Sequence, residues 1–365
     1  MIPMNGFLRE PETLRSQELG AVERVLRSGR YILGREVQAF EAEWASAVGA
    51  RHAIGVGNGM DAIEIGLRAL GVGPGDEVVT TPMTAFATVL AIIRAGAQPV
   101  LADIDLDTAI SSIESVRRCI SRKTRAVLLV HLYGQVTDLE RWRSFCDTAR
   151  LHLVEDAAQA HLAAWNGVRA GAVGAVGAFS FYPTKNLGAI GDGGALTTSS
   201  DEVAAKARQL RNYGQSDRYH HPELGLNSRL DELQAAILRV RLALLEEFTE
   251  RKRAIARAYR AGIENSRIRL LAPPPHESSH VYHLFVICCE ERDRLAEHLR
   301  SSGIETLIHY PIPVHMQPPC ADIRRDPQGL EHAERHALTC LSIPCHPQLS
   351  DAEVASVVRA LNEFR

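Results

Sequence analysis

The sequence predicts an α/β protein with a mainly parallel central sheet and helices on both faces of that sheet. Two observations carry the prediction. From about residue 52 to residue 198, short apolar runs alternate with amphipathic segments, and the apolar runs lack the polar alternation that a solvent-facing sheet imposes. The chain also has 365 residues, of which 45% are hydrophobic, which is enough for one large domain and one smaller domain.

The first predicted element is a helix over Ser16–Ser28, because apolar residues recur at helical spacing and Gly29 follows as a C-terminal cap. Alternating strands and helices follow it. Predicted strands cover His52–Val56, Glu77–Thr81, Pro99–Ile104, Ala126–Leu132, His152–Glu155, Ala175–Phe181 and Gly194–Thr197. A helix over Gly59–Leu70 is predicted between the first and second of these strands, and a helix over Ala87–Arg94 between the second and third.

The C-terminal part of the chain predicts a smaller α+β unit. Residues Ser228–Gly262 carry the apolar stripe of one or two long helices, and the spacing of Ser228 and Asp231 resembles a capping box. We predict a large domain over residues 1–250, including the N-terminal helix, and a small domain over residues 251–365. Predicted elements of the small domain are a strand over His280–Cys289 and helices over Glu291–Ser301 and Ser350–Phe364.

Composition argues against several classes of partner. The net charge is −3 and no basic run stands out, so we expect neither nucleic acid nor a membrane surface as a partner. No stretch reaches the roughly 18 apolar residues of a membrane span. The N-terminal residues lack the pattern of a signal peptide, so we expect a cytoplasmic protein. The seven cysteines form no CxxC pair, which indicates buried reduced thiols.

Two segments carry the most specific chemistry. LVEDAAQAH places Asp156 at the end of an apolar strand, and FSFYPTKNLGAIGDGG places Lys185 in a loop after another strand. Pyridoxal phosphate (PLP) needs a carboxylate at its pyridine nitrogen and a lysine that forms a Schiff base with its aldehyde. Taken alone, Asp156 also fits a helix cap and Lys185 a solvated surface charge. The residues that flank them favour the catalytic interpretation.

Two further patterns concern ligands. Gly55–Asp61 reads GVGNGMD before a predicted helix, so its free amides and the helix dipole suit a phosphate. A tight turn without a ligand is the alternative. His332 and His336 are four residues apart on a predicted helix, but no third ligand stands in motif spacing. We therefore interpret both as surface histidines and expect no metal site.

Nearly the whole chain resembles the DegT–StrS family of sugar-nucleotide aminotransferases, which are fold-type I PLP enzymes. The resemblance runs through GNGMDAIEIGLRALGVGPGDEVVTTP, GAQPVLADID, VHLYGQ, EDAAQAH, FSFYPTKNLGAIGDGG, RNYGQ, LGLNSRLDELQAAIL and HYPIPVH. The segments around Asp156 and Lys185 are the most specific. The resemblance implies the fold-type I architecture and pyridoxal 5'-phosphate as the cofactor.

The resemblance also implies a role for each matching residue. Lys185 corresponds to the Schiff-base lysine and Asp156 to the partner of the pyridine nitrogen, which makes both catalytic. The other implied cofactor-binding residues are Gly59, Met60 and Ser180 at the phosphate, Ala85 on the ring, Gln159 beside the phenolate oxygen, and Asn227. The implied substrate-binding residues are Arg229, His309, Tyr310 and His315. The family supplies the asparagine from the partner subunit, which implies a homodimer with shared active sites.

Two positions depart from the family pattern. Met60 stands where the family often has Thr or Ser, so its amide can still donate but a hydroxyl bond to the phosphate is lost. TAFAT places Ala85 where the family usually stacks an aromatic ring on PLP, and either Ala85 or the neighbouring Phe86 packs there. Lys185 distinguishes the chain from a family branch that has histidine at this position and dehydrates sugars.

On this basis we predict a PLP-dependent aminotransferase that moves an amino group from L-glutamate to a keto group of a nucleotide-linked deoxysugar, by a ping-pong mechanism. The GNG turn followed by a large apolar residue resembles members that aminate position 3 of a dTDP-linked keto-deoxyhexose. The alternatives are another PLP reaction on a sugar nucleotide, such as dehydration or elimination, and a PLP-binding regulatory protein without turnover. A nicotinamide oxidoreductase is disfavoured because the glycine turn lacks the dinucleotide fingerprint.

Overall fold

The computed structural model describes all 365 residues. Its helices are α1 (Glu12–Ser28), α2 (Arg35–Val48), α3 (Gly59–Ala69), α4 (Phe86–Arg94), α5 (Ile113–Cys119), α6 (Leu139–Ala149), α7 (Asp201–Leu210), α8 (Glu232–Leu242), α9 (Leu245–Gly262), α10 (Arg292–Ser301), α11 (Glu331–Thr339) and α12 (Asp351–Glu363). Its strands are β1 (His52–Val56), β2 (Glu77–Thr80), β3 (Gln98–Leu101), β4 (Thr124–Val130), β5 (His152–Asp156), β6 (Ala164–Trp165), β7 (Val168–Arg169), β8 (Val176–Ser180), β9 (Gly194–Thr198), β10 (Arg269–Leu270), β11 (Phe285–Cys288), β12 (Arg324–Arg325) and β13 (Cys340–Ile343). No helix combines the length and the hydropathy that a bilayer crossing requires.

The centre of the molecule is an eight-stranded sheet in the order β1-β9-β8-β5-β4-β2-β3-β12. Every neighbouring pair from β8 to β12 is parallel, and β9 alone runs antiparallel to its neighbours β1 and β8. The prediction of a mainly parallel α/β sheet is therefore confirmed. The connection from β8 to β9 contains no helix, so it is not the helical crossover that usually joins parallel strands.

Apolar clusters cover both faces of this sheet, which explains why its strands read as continuous apolar runs. On one face, Phe40 and Trp44 of α2 pack against the rings of Phe179 and Phe181, and the Trp44–Phe179 centroids are 5.0 Å apart. On the other face, α3 buries its apolar side chains against β8 and β9. Each fully buried side chain of this size contributes about 1.5–3 kcal/mol. This packing fixes the ends of the strands, where the candidate site lies.

A second sheet, β10-β11-β13, lies in the C-terminal part of the chain. Its apolar cluster includes Tyr259 of α9, Phe285 of β11 and Leu361 of α12. Three features link the two parts of the chain: α9 runs across residue 250, β12 extends the large sheet beside β3, and Ile2 forms a β-bridge with Ile304. The division of the chain at residue 250 stays a prediction.

Two local predictions are wrong because tertiary contacts override the local pattern. Ser228 caps no helix, since α8 begins at Glu232 and the Ser228 hydroxyl accepts a hydrogen bond from the Gly57 amide at 3.0 Å. His336 does not lie on the surface. It is fully buried, with Nε2 2.9 Å from the hydroxyl of Tyr133. The seven cysteines are all buried and unpaired, as predicted.

Candidate active site

Asp156 and Ser180 lie together at the carboxyl edge of the large sheet. Asp156 is the last residue of β5, and Ser180 is the last residue of β8. The two strands are parallel, with Asp156 opposite Ala178, so Ser180 projects two residues beyond that pairing. Ligands of open α/β sheets bind outside this edge because the loops there diverge and leave a crevice.

The Asp156 carboxylate is buried and held in one orientation. The hydroxyl of Thr88, on α4, donates to its Oδ2 at 2.8 Å, and the amide of Ala158 donates to its Oδ1 at 3.2 Å. The hydroxyl of Thr84 lies 2.7 Å from that of Thr88 and completes the chain of contacts. A buried carboxylate with two donors and no arginine or lysine in salt-bridge contact is available to a cationic group of a ligand.

The loop that carries Lys185 is tied to the rest of the protein by the two residues that follow the lysine. The Leu187 amide donates to Nδ1 of His161 at 3.0 Å, and the side-chain amide of Asn186 donates to the carbonyl of Val281 at 2.9 Å. Burial lowers the pKa of His161 to about 3, so its ring stays neutral and Nδ1 remains an acceptor. These bonds hold the lysine loop against the sheet edge.

The surroundings of Lys185 shift its amine toward the neutral form. Its side chain opens partly to a cavity, but the burial of its amine lowers the pKa of Lys185 to about 8, while the charge of Asp156 acts in the opposite direction. The Asp156 carboxylate therefore lies close enough to Lys185 for its charge to act on the lysine amine. A lysine with a lowered pKa supplies the unprotonated nitrogen that nucleophilic attack on a carbonyl requires.

The N-terminus of α3 forms a cradle for an anion. Asn58 caps this helix by accepting a hydrogen bond from the Asp61 amide at 2.8 Å, and the amides of Gly59 and Met60 have no protein acceptor. A Cβ atom at Gly59 would lie 2.7 Å from Cβ of Ser180, so the backbone approaches the end of β8 closely. Free amides at a helix N-terminus bind phosphate well.

Gln159 links two other segments of the site. Its Oε1 accepts a hydrogen bond from the amide of Tyr133 at 2.6 Å, and its Nε2 donates to the hydroxyl of Tyr310 at 3.2 Å. Burial and the charge of Asp156 raise the pKa of Tyr310 to about 12, whereas Gln159 acts in the opposite direction. Tyr310 therefore stays neutral and belongs to the same pocket as Asp156.

The arrangement fits PLP at each of its reactive groups. A carboxylate is available for the pyridine nitrogen, a lysine amine for the aldehyde, and a helix N-terminus with a serine for the phosphate. All three lie along one sheet edge. Sequence reasoning identified Asp156, Lys185 and the turn at Gly59. The structure brings them together.

Four further predicted residues lie in two separate places. His309 lines the cavity onto which Lys185 opens, and its Nδ1 lies 2.8 Å from the Ser342 hydroxyl. Tyr310 contacts Gln159. Asn227 is exposed, and Arg229 donates to the side-chain oxygen of Asn212 at 3.0 Å. No contact within the chain joins this second group to Lys185.

His315 and Ala85 are the two remaining predicted residues. His315 is buried in a short turn, with Nε2 3.0 Å from a carboxylate oxygen of Glu334, and no contact joins it to the other predicted residues. Ala85 is half-buried immediately before α4, whereas the neighbouring Phe86 is 38% exposed. The roles of both positions stay predictions.

Sequence reasoning missed several residues that shape the site. Thr88 holds Asp156, Tyr133 holds Gln159, and Asn186 holds the lysine loop. Lys185 also opens to a cavity of about 120 Å³, which a second buried lysine, Lys252, lines from α9. Thr88 and Tyr133 lie inside the TAFAT and VHLYGQ segments, so a signal existed. No local pattern distinguishes Lys252 from a surface lysine.

Replacing Gly59 by alanine is expected to weaken cofactor binding by about 10-fold or more, because the new methyl group forces the helix away from Ser180. Titration of the cofactor-free protein with PLP, followed by absorbance, measures the change. Gly20→Ala is the matched control, since a Cβ atom there meets nothing within 4 Å. That variant should gain roughly 0.5–1 kcal/mol of stability and bind PLP normally. Equal PLP affinities in both variants would contradict the assignment of the α3 N-terminus as the phosphate-binding site.

A sequence profile of the DegT/DnrJ/EryC1/StrS aminotransferase family matches residues 12–362. The chain belongs to this family. It is an aminotransferase, and pyridoxal phosphate is its cofactor, as the chemistry of the site requires. The fold-type I architecture predicted from the sequence is confirmed by the solved structures that it matches.

Two relatives illustrate the match over the full length. The chain is 45% identical to dTDP-3-amino-3,4,6-trideoxy-alpha-D-glucose transaminase from Streptomyces venezuelae, over 100% of this chain and 96% of that protein. It is 42% identical to a protein from Geobacillus stearothermophilus named as a pleiotropic regulatory protein, over 100% of this chain and 98% of the relative.

A solved structure matches equally well. The crystal structure of S. venezuelae DesV in complex with a ketimine intermediate superposes with a TM-score of 0.96 at 44% identity, covering 100% of this chain and 98% of DesV. A likeness at this level extends to the whole fold, including both sheets.

Proposed function

We propose that this aminotransferase moves the amino group of L-glutamate to a keto group of a nucleotide-linked deoxysugar, and that the nucleotide is dTDP. One observation carries the catalytic part: a buried, oriented carboxylate and a lysine of lowered pKa face one pocket at the carboxyl edge of the sheet. The sugar-nucleotide part is supported by the names of the relatives, which act on dTDP-linked aminosugars.

Asp156 is proposed to pair with the pyridine nitrogen and to keep it protonated. The bound cofactor supplies an electron sink for the carbanion that forms when the Cα–H bond of the amino donor breaks. Thr88 and the Ala158 amide fix the direction of the carboxylate before the reaction begins. Fixed dipoles and charges of this kind stabilise the transition state without reorganisation.

Lys185 is proposed to carry the cofactor and then to move the proton. When the amino donor displaces it, the lysine becomes a free amine beside the donor's Cα–H bond. Its pKa of about 8 leaves part of the population neutral near pH 7, so the amine can accept the Cα proton at its Nζ. With the cofactor bound, the same nitrogen would deliver this proton to the aldehyde-derived carbon of the cofactor. The amino group would then stay on the cofactor while the donor leaves as a keto acid, and the ketosugar would take these steps in reverse.

The other polar groups are proposed to position the cofactor. Gly59, Met60 and Ser180 hold the phosphate, and Gln159 lies beside the phenolate oxygen. The side chain of Met60 adds no hydroxyl donor. We propose that Ala85 rather than Phe86 packs on the ring, because Ala85 is half-buried whereas the Phe86 side chain is 38% exposed at the start of α4.

His309 and Tyr310 are proposed to form one wall of the sugar site, with Arg229 and His315 as further candidates. Burial and the charge of Lys185 lower the pKa of His309 to about 4, so this ring is neutral and recognises the sugar through hydrogen bonds. Tyr310 is neutral for the reason given above. Neutral donors and acceptors suit the hydroxyl groups of a sugar.

A homodimer with shared active sites is proposed. Asn227 is exposed in the single chain, as a residue that serves the partner's site would be. Large aromatic side chains near the predicted residues are also exposed: Phe86 next to Ala85, Tyr182 shortly before Lys185, and Tyr213 beneath the guanidinium of Arg229. Exposed aromatic groups of this kind are typical of an interaction surface.

Mixed dimers test the shared site. We expect a Lys185→Ala variant and an Asn227→Asp variant each to lose activity, the second because it places a negative charge against the phosphate. Refolding them together should restore about a quarter of the wild-type activity, since half of the dimers carry one intact site. If the mixture stays inactive although mixed dimers form, each site is built from a single chain.

The proposed reaction is tested by the absorbance spectrum of the purified holoenzyme with and without L-glutamate. A visible band of the lysine-bound cofactor that fades on adding glutamate supports the first half of the reaction. A band that ignores glutamate points to another donor, to dehydration or elimination, or to a regulatory protein without turnover. Nitrogen in the sugar product separates transamination from the other reactions.

The position of amination needs its own measurement. We propose position 3, in line with the 3-amino sugars in the names of two relatives. Nuclear magnetic resonance of the product made from a dTDP-3-keto-6-deoxyhexose locates the nitrogen. Nitrogen at position 4 would overturn this part of the proposal alone. We also propose a cytoplasmic location, which the unpaired cysteines fit.

A further inference from the structure

Lys252, on α9, is a buried cation that the catalytic scheme does not use. The chain contains four lysines, Lys123, Lys185, Lys206 and Lys252. Lys252 is only 6% exposed, whereas Lys123 is exposed. Its ammonium donates to Oδ1 of Asn186 at 3.1 Å and, at 3.4 Å, to the carbonyl of His283. No carboxylate lies within salt-bridge distance of it.

The surroundings of Lys252 hold further polar groups without partners. They line the cavity onto which Lys185 opens: Thr249 Oγ1, His283 Nδ1, and both ring nitrogens of His346. Glu10 is the only carboxylate in the lining, and both of its oxygens accept hydrogen bonds from Arg241, at 3.0 and 2.8 Å. Buried donors and a cation without a counter-ion are unfavourable unless a ligand satisfies them.

The cavity connects the two lysines. Its volume of about 120 Å³ exceeds by several-fold the roughly 10–15 Å³ that one water needs by this measure, so it accepts a group of several atoms. His283 lines the same cavity as both lysines, and burial together with the charges of Lys185 and Lys252 lowers its pKa. Asn186 follows Lys185 in the chain and contacts Lys252. Both lysines therefore line one cavity.

We propose that Lys252 binds the distal carboxylate of the dicarboxylic amino donor, and of the keto acid formed from it, while the donor's amino group faces Lys185. The proposal rests on the proposed function and names the residue that selects the donor. The polar groups of Thr249, His283 and His346 complete the carboxylate site. A hydrogen bond between a charged pair contributes about 1.5–3 kcal/mol, which corresponds to about 10- to 100-fold in affinity.

Glutarate tests the proposal without turnover, because it has the two carboxylates of glutamate and no amino group. Calorimetry with the holoenzyme should detect glutarate binding, and Lys252→Met should weaken it by about 10- to 100-fold. Lys252→Arg keeps the charge and should retain much of the affinity. Lys123→Met, on the surface, should leave it unchanged. In the steady state, KM for glutamate should rise in Lys252→Met while KM for the ketosugar stays constant.

A purely positioning role for Lys252 gives a different result. If Lys252 only holds Asn186 and the lysine loop, Lys252→Met should alter the visible cofactor band and affect both substrates alike. An equal effect on both substrates would overturn the proposal. So would unchanged glutarate binding in Lys252→Met, or the absence of glutarate binding by the wild type. If glutarate binding depends on Lys252 but glutamate leaves the cofactor spectrum unchanged, the carboxylate site stands and the proposed reaction fails.

Discussion

Lys185→Ala is expected to lower transamination by about 10⁴-fold or more, because one nitrogen is proposed both to carry the cofactor and to move the proton. Alanine removes both functions, while Leu187 and Asn186 can keep their contacts with His161 and Val281. The rate of each half-reaction, measured in single turnover with glutamate and with the ketosugar, checks the prediction. Both half-reactions should be slowed, since each needs the proton transfer.

Chemical mapping provides an independent readout for Lys185. Borohydride reduction of the wild-type holoenzyme should fix the cofactor on the peptide that contains Lys185, and mass spectrometry should find it nowhere else. Lys123→Ala is the matched control, because it removes an exposed lysine far from any contact in the site. Normal turnover of Lys185→Ala, or labelling of Lys252 in the wild type, would contradict the assignment.

Asp156→Asn is expected to lower the rate by about 10²- to 10³-fold, the size of effect that follows the loss of one preorganised electrostatic partner. Asparagine has nearly the size of aspartate and can still accept the hydrogen bond from Thr88. It carries no charge, however, and cannot keep the pyridine nitrogen protonated. The rate of Cα–H cleavage, followed with deuterated glutamate, isolates the affected step.

Thr88→Val separates the charge of Asp156 from its orientation. This variant removes the donor at 2.8 Å from the carboxylate and leaves the charge in place. We expect a loss of roughly 10-fold, at the low end of the roughly 1.5–3 kcal/mol that a hydrogen bond to a charged group contributes, because the Ala158 amide still donates to the carboxylate. Asp156→Asn should therefore be the more damaging change. The reverse order, or near-normal turnover of Asp156→Asn, would remove the proposed role of the carboxylate.

Two strands show which element bounds the local sequence predicts correctly and which it does not. The strand over His52–Val56 was predicted with the bounds that the structure has, because its apolar run is bounded by polar residues. The strand predicted over His280–Cys289 is only Phe285–Cys288 in the structure. The preceding residues instead make contacts with the loops around Gly134 and Asn186. Local alternation does not reveal such distant partners.

The sequence likewise predicts some residues of the candidate site and not others. Asp156 and Lys185 stand in segments whose composition is unusual, so each could be identified from the chain alone. Lys252 could not, since a lysine in a basic helical segment is ordinary. Thr88 stands in the TAFAT segment, but that segment does not show that its hydroxyl contacts Asp156. Their importance comes from residues far away in sequence: Asp156 for Thr88, and Asn186 and His283 for Lys252.

By itself, the sequence determined the class of the sheet and the family of the chain, and it predicted the reactive lysine and carboxylate. These depend on residue type and short-range spacing, which a linear chain displays directly. Only the tertiary structure decided that β9 runs antiparallel, that His336 is buried, and that Lys252 lies without a counter-ion in the cavity of Lys185. Burial and charge pairing arise between segments distant in the chain, so they are fixed only when the chain packs.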